Sequence, residues 1–293
     1  MDLTGVLALG RFVRDGAALL LWGGSVFLLL APPRVRVHLA PMCARWSLAM
    51  VLTLAAAVLA LLPVQAAALG EGWPDAFDPG TLGALLSGTS IGTAWLIQAV
   101  AAMALLLVPL TPRAWRSGTV AVCAAVLLAS LTLTGHAAMH EGWLGVAHRT
   151  NDLCHLLAGG FWFGALLPLL PTLGLLRDPA RQDGAVVALR RFSTLGHGAV
   201  ALVLGTGVLN TVLILGRWPT AWSSLYQRLL VTKILLVAAM TALALLNRYA
   251  LVPRLRDRPN EAIRSIRRAT LAEVALGLSA IALVALFGLL DPA

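Results

Sequence analysis

The sequence predicts an all-α, polytopic membrane protein with eight transmembrane helices and both termini on the non-cytoplasmic side. Three observations lead to this prediction. Of the 293 residues, 59% are hydrophobic and only 12% are charged, whereas a soluble domain has about 25% charged residues. The apolar residues form eight long stretches, and the arginines between them are divided unevenly between the two alternating sides. No repeat or low-complexity tract divides the chain, so we expect a single transmembrane domain over residues 1–293.

Each apolar stretch is long enough to cross a bilayer, which takes about 20 predominantly apolar residues in a helix. The predicted helices are 11–31, 45–69, 88–110, 117–137, 151–176, 192–216, 227–250 and 269–290. Prolines fall at or between their ends, where a helix terminates. In the fifth stretch Gly160 and Gly164 form a GxxxG motif, which is typical of close contact between membrane helices.

The distribution of basic residues predicts the orientation, because cytoplasmic loops carry the excess of Lys and Arg. Sixteen arginines fall on one side of the predicted spans. Five fall on the other side, among them Arg11 and Arg14 at the start of the first predicted helix. The excess of arginines on the cytoplasmic side therefore accounts for the net charge of +9. We expect these basic residues to face the lipid bilayer and not nucleic acid.

Four of the six histidines lie within twenty residues around one predicted outer loop. Residues spaced by three or four share a face of a helix, so two stripes are predicted, one on each side of the loop. The first requires the fourth helix to continue past residue 137. The first stripe consists of His136, Met139 and His140. The second consists of His148, Asp152 and His155.

This set of side chains predicts a metal site. Imidazole suits copper, zinc, iron and nickel, and a thioether beside it favours Cu(I). The carboxylate of Asp152 would ligate Cu(II), or would orient a ligating histidine. The alternative interpretation is that histidines at a membrane interface simply bond to water and lipid headgroups.

Other polar residues lie inside predicted spans, where they are costly and mark function by default. Lys233 and Asn210 lie at similar depth below the histidines and predict a path. Alternatively, Lys233 extends to the surface and Asn210 bonds a neighbouring helix. His197 and Glu273 each lie about one turn from the opposite end, which predicts a pair with either a relay role or a structural one.

Several short segments, taken together in this order, resemble the copper resistance D (CopD) family of bacterial inner-membrane proteins. They are TGHAA at 134–138, DLCHLLA at 152–158, FWFG at 161–164, RFS at 191–193, GTGVLN at 205–210, LLVTK at 229–233 and NRYALVPR at 247–254. The resemblance implies an eight-helix protein of the inner (cytoplasmic) membrane that handles copper, as Cu(I) or Cu(II). It also implies a separate periplasmic copper-binding partner of the CopC type. The family's histidines map onto His136 and His155, and its polar positions map onto Asn210 and Lys233.

Three functions remain open on the sequence. The first is capture of copper from the periplasm and movement across the membrane. The second is a haem-binding cytochrome b-like protein, for which His136 and His155 would supply one axial pair. The third is a copper-binding subunit that transports nothing. The chain has no GxxxxGK[ST], Ser-His-Asp or HExxH pattern, so we expect no enzyme activity.

Overall fold

The computed structural model describes residues 2–292, and within that range the chain is helical and contains no strand. Seven segments are long and apolar enough to cross a membrane, which confirms the all-α polytopic class. The predicted span 117–137 forms a shorter helix of 16 residues, Arg116–Leu131. The count of eight spans and the orientation therefore stay predictions.

Ten α-helices follow one another along residues 2–292. They are α1 (Leu3–Leu30), α2 (Pro33–Leu69), α3 (Pro79–Gly88), α4 (Ser90–Leu107), α5 (Arg116–Leu131), α6 (Gly142–Gly164), α7 (Leu166–Leu175), α8 (Gln182–Leu215), α9 (Leu225–Leu246) and α10 (Pro259–Phe287). The short α3 lies in the acidic segment between the predicted second and third spans. Its N-cap is Asp78, whose side chain accepts a hydrogen bond from the Thr81 N–H.

Five helices, α1, α2, α6, α8 and α10, begin at least eight residues earlier than the apolar pattern predicts. The first starts at Leu3, eight residues before the predicted position. Arg11 and Arg14, at the start of the predicted span 11–31, therefore lie about two and three turns inside α1. The sixth starts at Gly142, whereas the apolar run predicts 151. An apolar run marks only the part of a helix that can lie in the hydrocarbon core of the bilayer. The helix itself continues into polar sequence wherever its backbone N–H and C=O groups keep their i to i−4 hydrogen bonds.

Helices α6 and α7 form one crossing segment with a break at Ala165. Pro168 explains the break, because proline has no N–H to donate to the carbonyl of Gly164 four residues earlier, and its ring crowds that carbonyl.

Helix α1 is the centre of the bundle. It contacts α2, α5, α6 and α10. On one side its residues join a core with α2, α4 and α5, centred on Leu54, Leu105 and Leu127. On the other side Phe27 and Leu28 join a second core built mainly from α6, α7, α8 and α10. The two halves of the chain therefore meet on a single helix.

The GxxxG motif of α6 lies against α1, which confirms that it serves close helix contact. A Cβ on Gly23 of α1 would lie 2.7 Å from the Cα of Gly164 and closer still to the carbonyl oxygen of Gly160. The short separation also lets Trp22 donate its indole N–H to the Leu157 carbonyl at 2.8 Å.

Candidate metal centre

The turn between α5 and α6 carries three of the predicted metal ligands. The predicted continuation of the fourth helix through this turn is wrong, since α5 ends at Leu131. Beyond its end, Thr134 is extended and Gly135 adopts a φ of +66°, a left-handed conformation that glycine tolerates. His136 then lies in a separate 3₁₀ turn, Gly135–Ala138, and His140 lies beyond it. The two imidazoles do not form a stripe on one helix.

His140 and His148 nevertheless meet. Their Nδ1 atoms are 3.0 Å apart and their ring centroids are 5.2 Å apart. Gly145 permits this approach, because a Cβ there would overlap the His140 carbonyl oxygen. His148 is only 1% exposed. One ring donates and the other accepts in this hydrogen bond, and two nitrogens at this distance could also be neighbouring ligands of one metal ion, given metal–nitrogen bonds of about 2.0–2.1 Å for zinc.

His136 lies beside this pair and interacts electrostatically with His148. Its ring packs edge-on against Tyr226 of α9, with 5.4 Å between centroids. Burial lowers the pKa of His136 below its ordinary value of 6.5, and the hydrogen bond to the Leu290 carbonyl opposes part of that shift. The neutral ring, which is the form that binds metals, is therefore favoured at neutral pH.

Met139 precedes His140 in the same turn, and its side chain is 48% exposed. Among residues 2–292 there is no group of three or more His, Cys, Asp and Glu side chains placed to hold one metal ion. The predicted ligand set of His136, Met139, His140, His148, Asp152 and His155 thus stays a prediction.

The second stripe is confirmed as one face of a helix, because His148, Asp152 and His155 all belong to α6. Below His148 this face meets α8. Asn210 donates to the Asp152 carboxylate at 2.9 Å and accepts from Asn151 at 2.7 Å. This places Asn210 in an interhelical network, which fits the structural interpretation of that residue.

His155 is held by Thr206 of α8 in a defined tautomer. The Thr206 hydroxyl donates to the Leu202 carbonyl at 2.5 Å, so it accepts from the Nδ1–H of His155 at 2.9 Å. In that tautomer Nε2 is the nitrogen that can accept a proton or bind a metal, and the ring also has a hydrogen bond with the Val203 backbone. Gly207 makes room for the ring, since a Cβ there would be 3.4 Å from the His155 Cε1.

Lys233 of α9 completes the network, because it interacts electrostatically with both Asp152 and His155. Its ammonium group also lies 6.0 Å from the Phe287 ring centroid. Sequence reasoning missed two members of this network, Asn151 and Thr206. The available signal was spacing, since each lies four residues from a residue that was identified, His155 and Asn210 respectively.

At the opposite end of the bundle the predicted bond between His197 and Glu273 is not formed. Glu273 is 2% exposed and accepts from Asn247 at 2.7 Å. The His197 Nδ1 lies 2.6 Å from the Ser193 carbonyl, and its Nε2 lies 3.5 Å from the Tyr249 hydroxyl. Both residues line one cavity of about 410 Å³. Their similar depth therefore places them beside the same cavity, but no hydrogen bond joins them.

A further buried polar network lies in the N-terminal half. Arg14 donates to Asp15 at 2.7 Å and to the Gln98 carbonyl oxygen at 3.3 Å. The Gln98 amide donates in turn to Ser130 at 3.1 Å. This gives partners to Gln98 and shows why Arg14, which is 6% exposed, is tolerated inside α1.

Together the fold and these side chains define a polytopic membrane protein with a histidine cluster at one end of a polar network between α6, α8 and α9. Comparison with known proteins narrows this class. The family described as "Copper resistance protein D-like, N-terminal domain" matches residues 1–146, and "Copper resistance protein D" matches residues 186–287. No solved structure matches the chain.

Three curated relatives support the same assignment. The chain is 36% identical to Inner membrane protein YebZ of Escherichia coli K12, over 96% of this chain and 97% of the relative. It is 32% identical to Copper resistance protein D of Pseudomonas syringae pv. tomato, over 71% of each. It is 31% identical to Copper transport protein CutJ of Bacillus subtilis 168, over 79% of this chain and 42% of the relative.

The chain belongs to the copper resistance protein D family. It is a multi-pass protein of the inner membrane.

Proposed function

We propose that this protein binds copper at the histidine end of the bundle and moves it across the inner membrane toward the cytoplasm. Copper is the cargo in this proposal. The relatives' names, Copper resistance protein D and Copper transport protein CutJ, support the choice of metal.

The single observation that carries the proposal is the line of polar side chains along α6. His148, Asp152 and His155 share one face, and seven residues of helix extend over roughly 10 Å. His140 bonds His148 at the outer end. Ionisable groups inside a membrane span are costly and persist where they serve transport or binding. A row of imidazoles that begins at the surface and continues inward supports entry of the metal from that surface.

The lower imidazole is prepared for a ligand. Thr206 fixes the His155 ring by accepting its Nδ1–H at 2.9 Å, which is how outer partners of ligating histidines set tautomer and orientation. Lys233 lies near the same ring. Its positive charge repels a copper ion bound at His155. This repulsion favours release of the ion over its retention.

Met139 has a different role in this proposal. Its exposed thioether is a soft ligand suited to Cu(I), and it lies in the same turn as His136 and His140. We propose that Met139 receives copper from a separate periplasmic protein of the CopC type.

The test is copper stoichiometry and an absorption spectrum on the same purified, detergent-solubilised protein. Wild type is compared with His136→Ala/His155→Ala. The matched control is His38→Ala/His197→Ala, which removes two imidazoles outside the histidine cluster. The first contacts the Arg34 carbonyl, and the second contacts the Ser193 carbonyl and Tyr249. We expect about one copper per chain in wild type and control and strong loss in the first variant.

Flux is then measured by copper uptake into proteoliposomes. Copper binding with uptake that His136→Ala/His155→Ala abolishes supports transport. Copper binding without uptake in wild type would indicate a copper-binding subunit that moves nothing. A Soret band without copper would overturn the copper proposal in favour of a cytochrome.

A further inference from the structure

A second cavity, of about 620 Å³, opens between α1, α2, α7 and α10. This volume is within the range of about 300–1,000 Å³ for small-molecule sites. Its wall is mostly apolar and includes Leu20, Leu28 and Pro171. It lies apart from the histidines, none of which lines it.

One end of the cavity is strongly basic. Arg177, Arg264 and Arg267 line it together, and no lining residue is acidic. The three guanidinium groups are exposed and have no hydrogen bond or ion pair with any residue in 2–292. The nearby Arg181 and Arg258, by contrast, each pair with a carboxylate. Three positive charges without a protein partner at one opening favour the binding of an anion.

The arginines lie at the level of lipid headgroups. Arg177 follows the end of α7 by two residues. Arg267 lies just before the apolar part of α10, which begins near 269. Trp46 of α2 also lines the cavity and is 66% exposed, and tryptophan is enriched at the membrane interface. The basic end therefore faces phosphate groups, while the apolar wall extends to acyl-chain depth.

We propose that this cavity binds one anionic phospholipid, with its phosphate group between Arg177, Arg264 and Arg267 and an acyl chain along the apolar wall. Basic pockets between membrane helices are suited to anionic headgroups. The bound lipid would tie α2 to α7 and α10, which meet around the cavity. This site is independent of the copper proposal.

Native mass spectrometry of the delipidated full chain in detergent tests the proposal, with phosphatidylglycerol and phosphatidylcholine as probes. We expect one phosphatidylglycerol to remain bound in preference to phosphatidylcholine. Each arginine near an anionic group contributes about a fivefold factor in affinity, so Arg264→Gln/Arg267→Gln should weaken phosphatidylglycerol binding roughly 30-fold. The matched control is Arg256→Gln/Arg268→Gln, which removes two exposed charges that do not line the cavity and should leave binding unchanged.

A second variant tests the apolar half without altering charge. Gly174 lines the cavity, and a Cβ there would meet nothing within 4 Å, so Gly174→Leu should fold and should fill part of the acyl-chain space. It should lower phosphatidylglycerol affinity. Equal binding of both lipids, or equal binding by the two arginine variants, would overturn the proposal. So would displacement of the lipid by millimolar inorganic phosphate, which would indicate a site for the free anion.

Discussion

The contact between α1 and α6 gives a sharp prediction about stability, because it consists of backbone against backbone. A Cβ added at Gly23 would lie 2.7 Å from the Gly164 Cα and 2.8 Å from the Ala165 nitrogen. Carbon atoms at favourable contact are about 3.5–4.0 Å apart, so Gly23→Ala must move the two helices apart by roughly 1 Å. No side-chain rotation relieves this overlap. Overpacking of this kind costs about 1–3 kcal/mol.

The neighbouring glycine supplies the control. A Cβ on Gly24 would be 3.7 Å from the Gly164 carbonyl oxygen, an ordinary contact, and replacing glycine by alanine inside a helix gains up to about 1 kcal/mol. Gly24→Ala should therefore be neutral or stabilising, whereas Gly23→Ala should also weaken the bond from Trp22 to the Leu157 carbonyl.

Thermal unfolding of the purified variants in one detergent measures the difference. We expect the unfolding midpoint of Gly23→Ala to fall by several degrees and that of Gly24→Ala to stay at or above wild type. Because α6 carries His148, Asp152 and His155, copper affinity should fall in Gly23→Ala as well. Equal midpoints for the two variants would show that the helices are not in the close contact described here.

Two further predictions concern His136 and the network around Gln98. Because burial lowers the pKa of His136, its ring should titrate below 6.5 when followed by NMR of a ¹³C-labelled imidazole. The unfolded chain then binds the proton more readily than the folded one, so the contribution of His136 to stability should fall as pH drops below 6.5 and stay constant above it; a midpoint above 6.5 would refute this. The second prediction concerns Gln98→Leu, which removes the hydrogen bonds to Arg14 and Ser130. It should lower the free energy of unfolding by about 1–3 kcal/mol. Gln65→Leu removes a buried oxygen that has no partner in residues 2–292 and should be neutral or stabilising, so a similar loss in both variants would contradict the role of the network.

Local periodicity predicted one of the two histidine stripes correctly as a helix face. The face shared by His148, Asp152 and His155 depends only on the repeat of an α-helix, which is the same in any surroundings. The face expected for His136, Met139 and His140 failed because α5 stops at Leu131. An extended Thr134 and a left-handed Gly135 then separate α5 from the turn that carries His136, and spacing alone does not reveal these conformations.

Partners across helices were harder to predict than positions along them. Lys233 and Asn210 were identified because a polar residue within an apolar run stands out in any sequence. Glu273 was identified in the same way, but its partner is Asn247 and not His197. Matched depth restricts a partner to a layer of the membrane, and the rotation of each helix about its axis then chooses among the residues of that layer.

The sequence by itself determined the membrane class, the approximate positions of the spans and the polar residues inside them. These follow from hydrophobicity, which acts on each segment independently of the others. Only the tertiary structure decided that His140 meets His148, that Thr206 orients His155, that Gln98 supports Arg14 and that three arginines surround one cavity. Each of these depends on the separation and rotation of helices that are distant in sequence, which side-chain contacts across the whole bundle fix together.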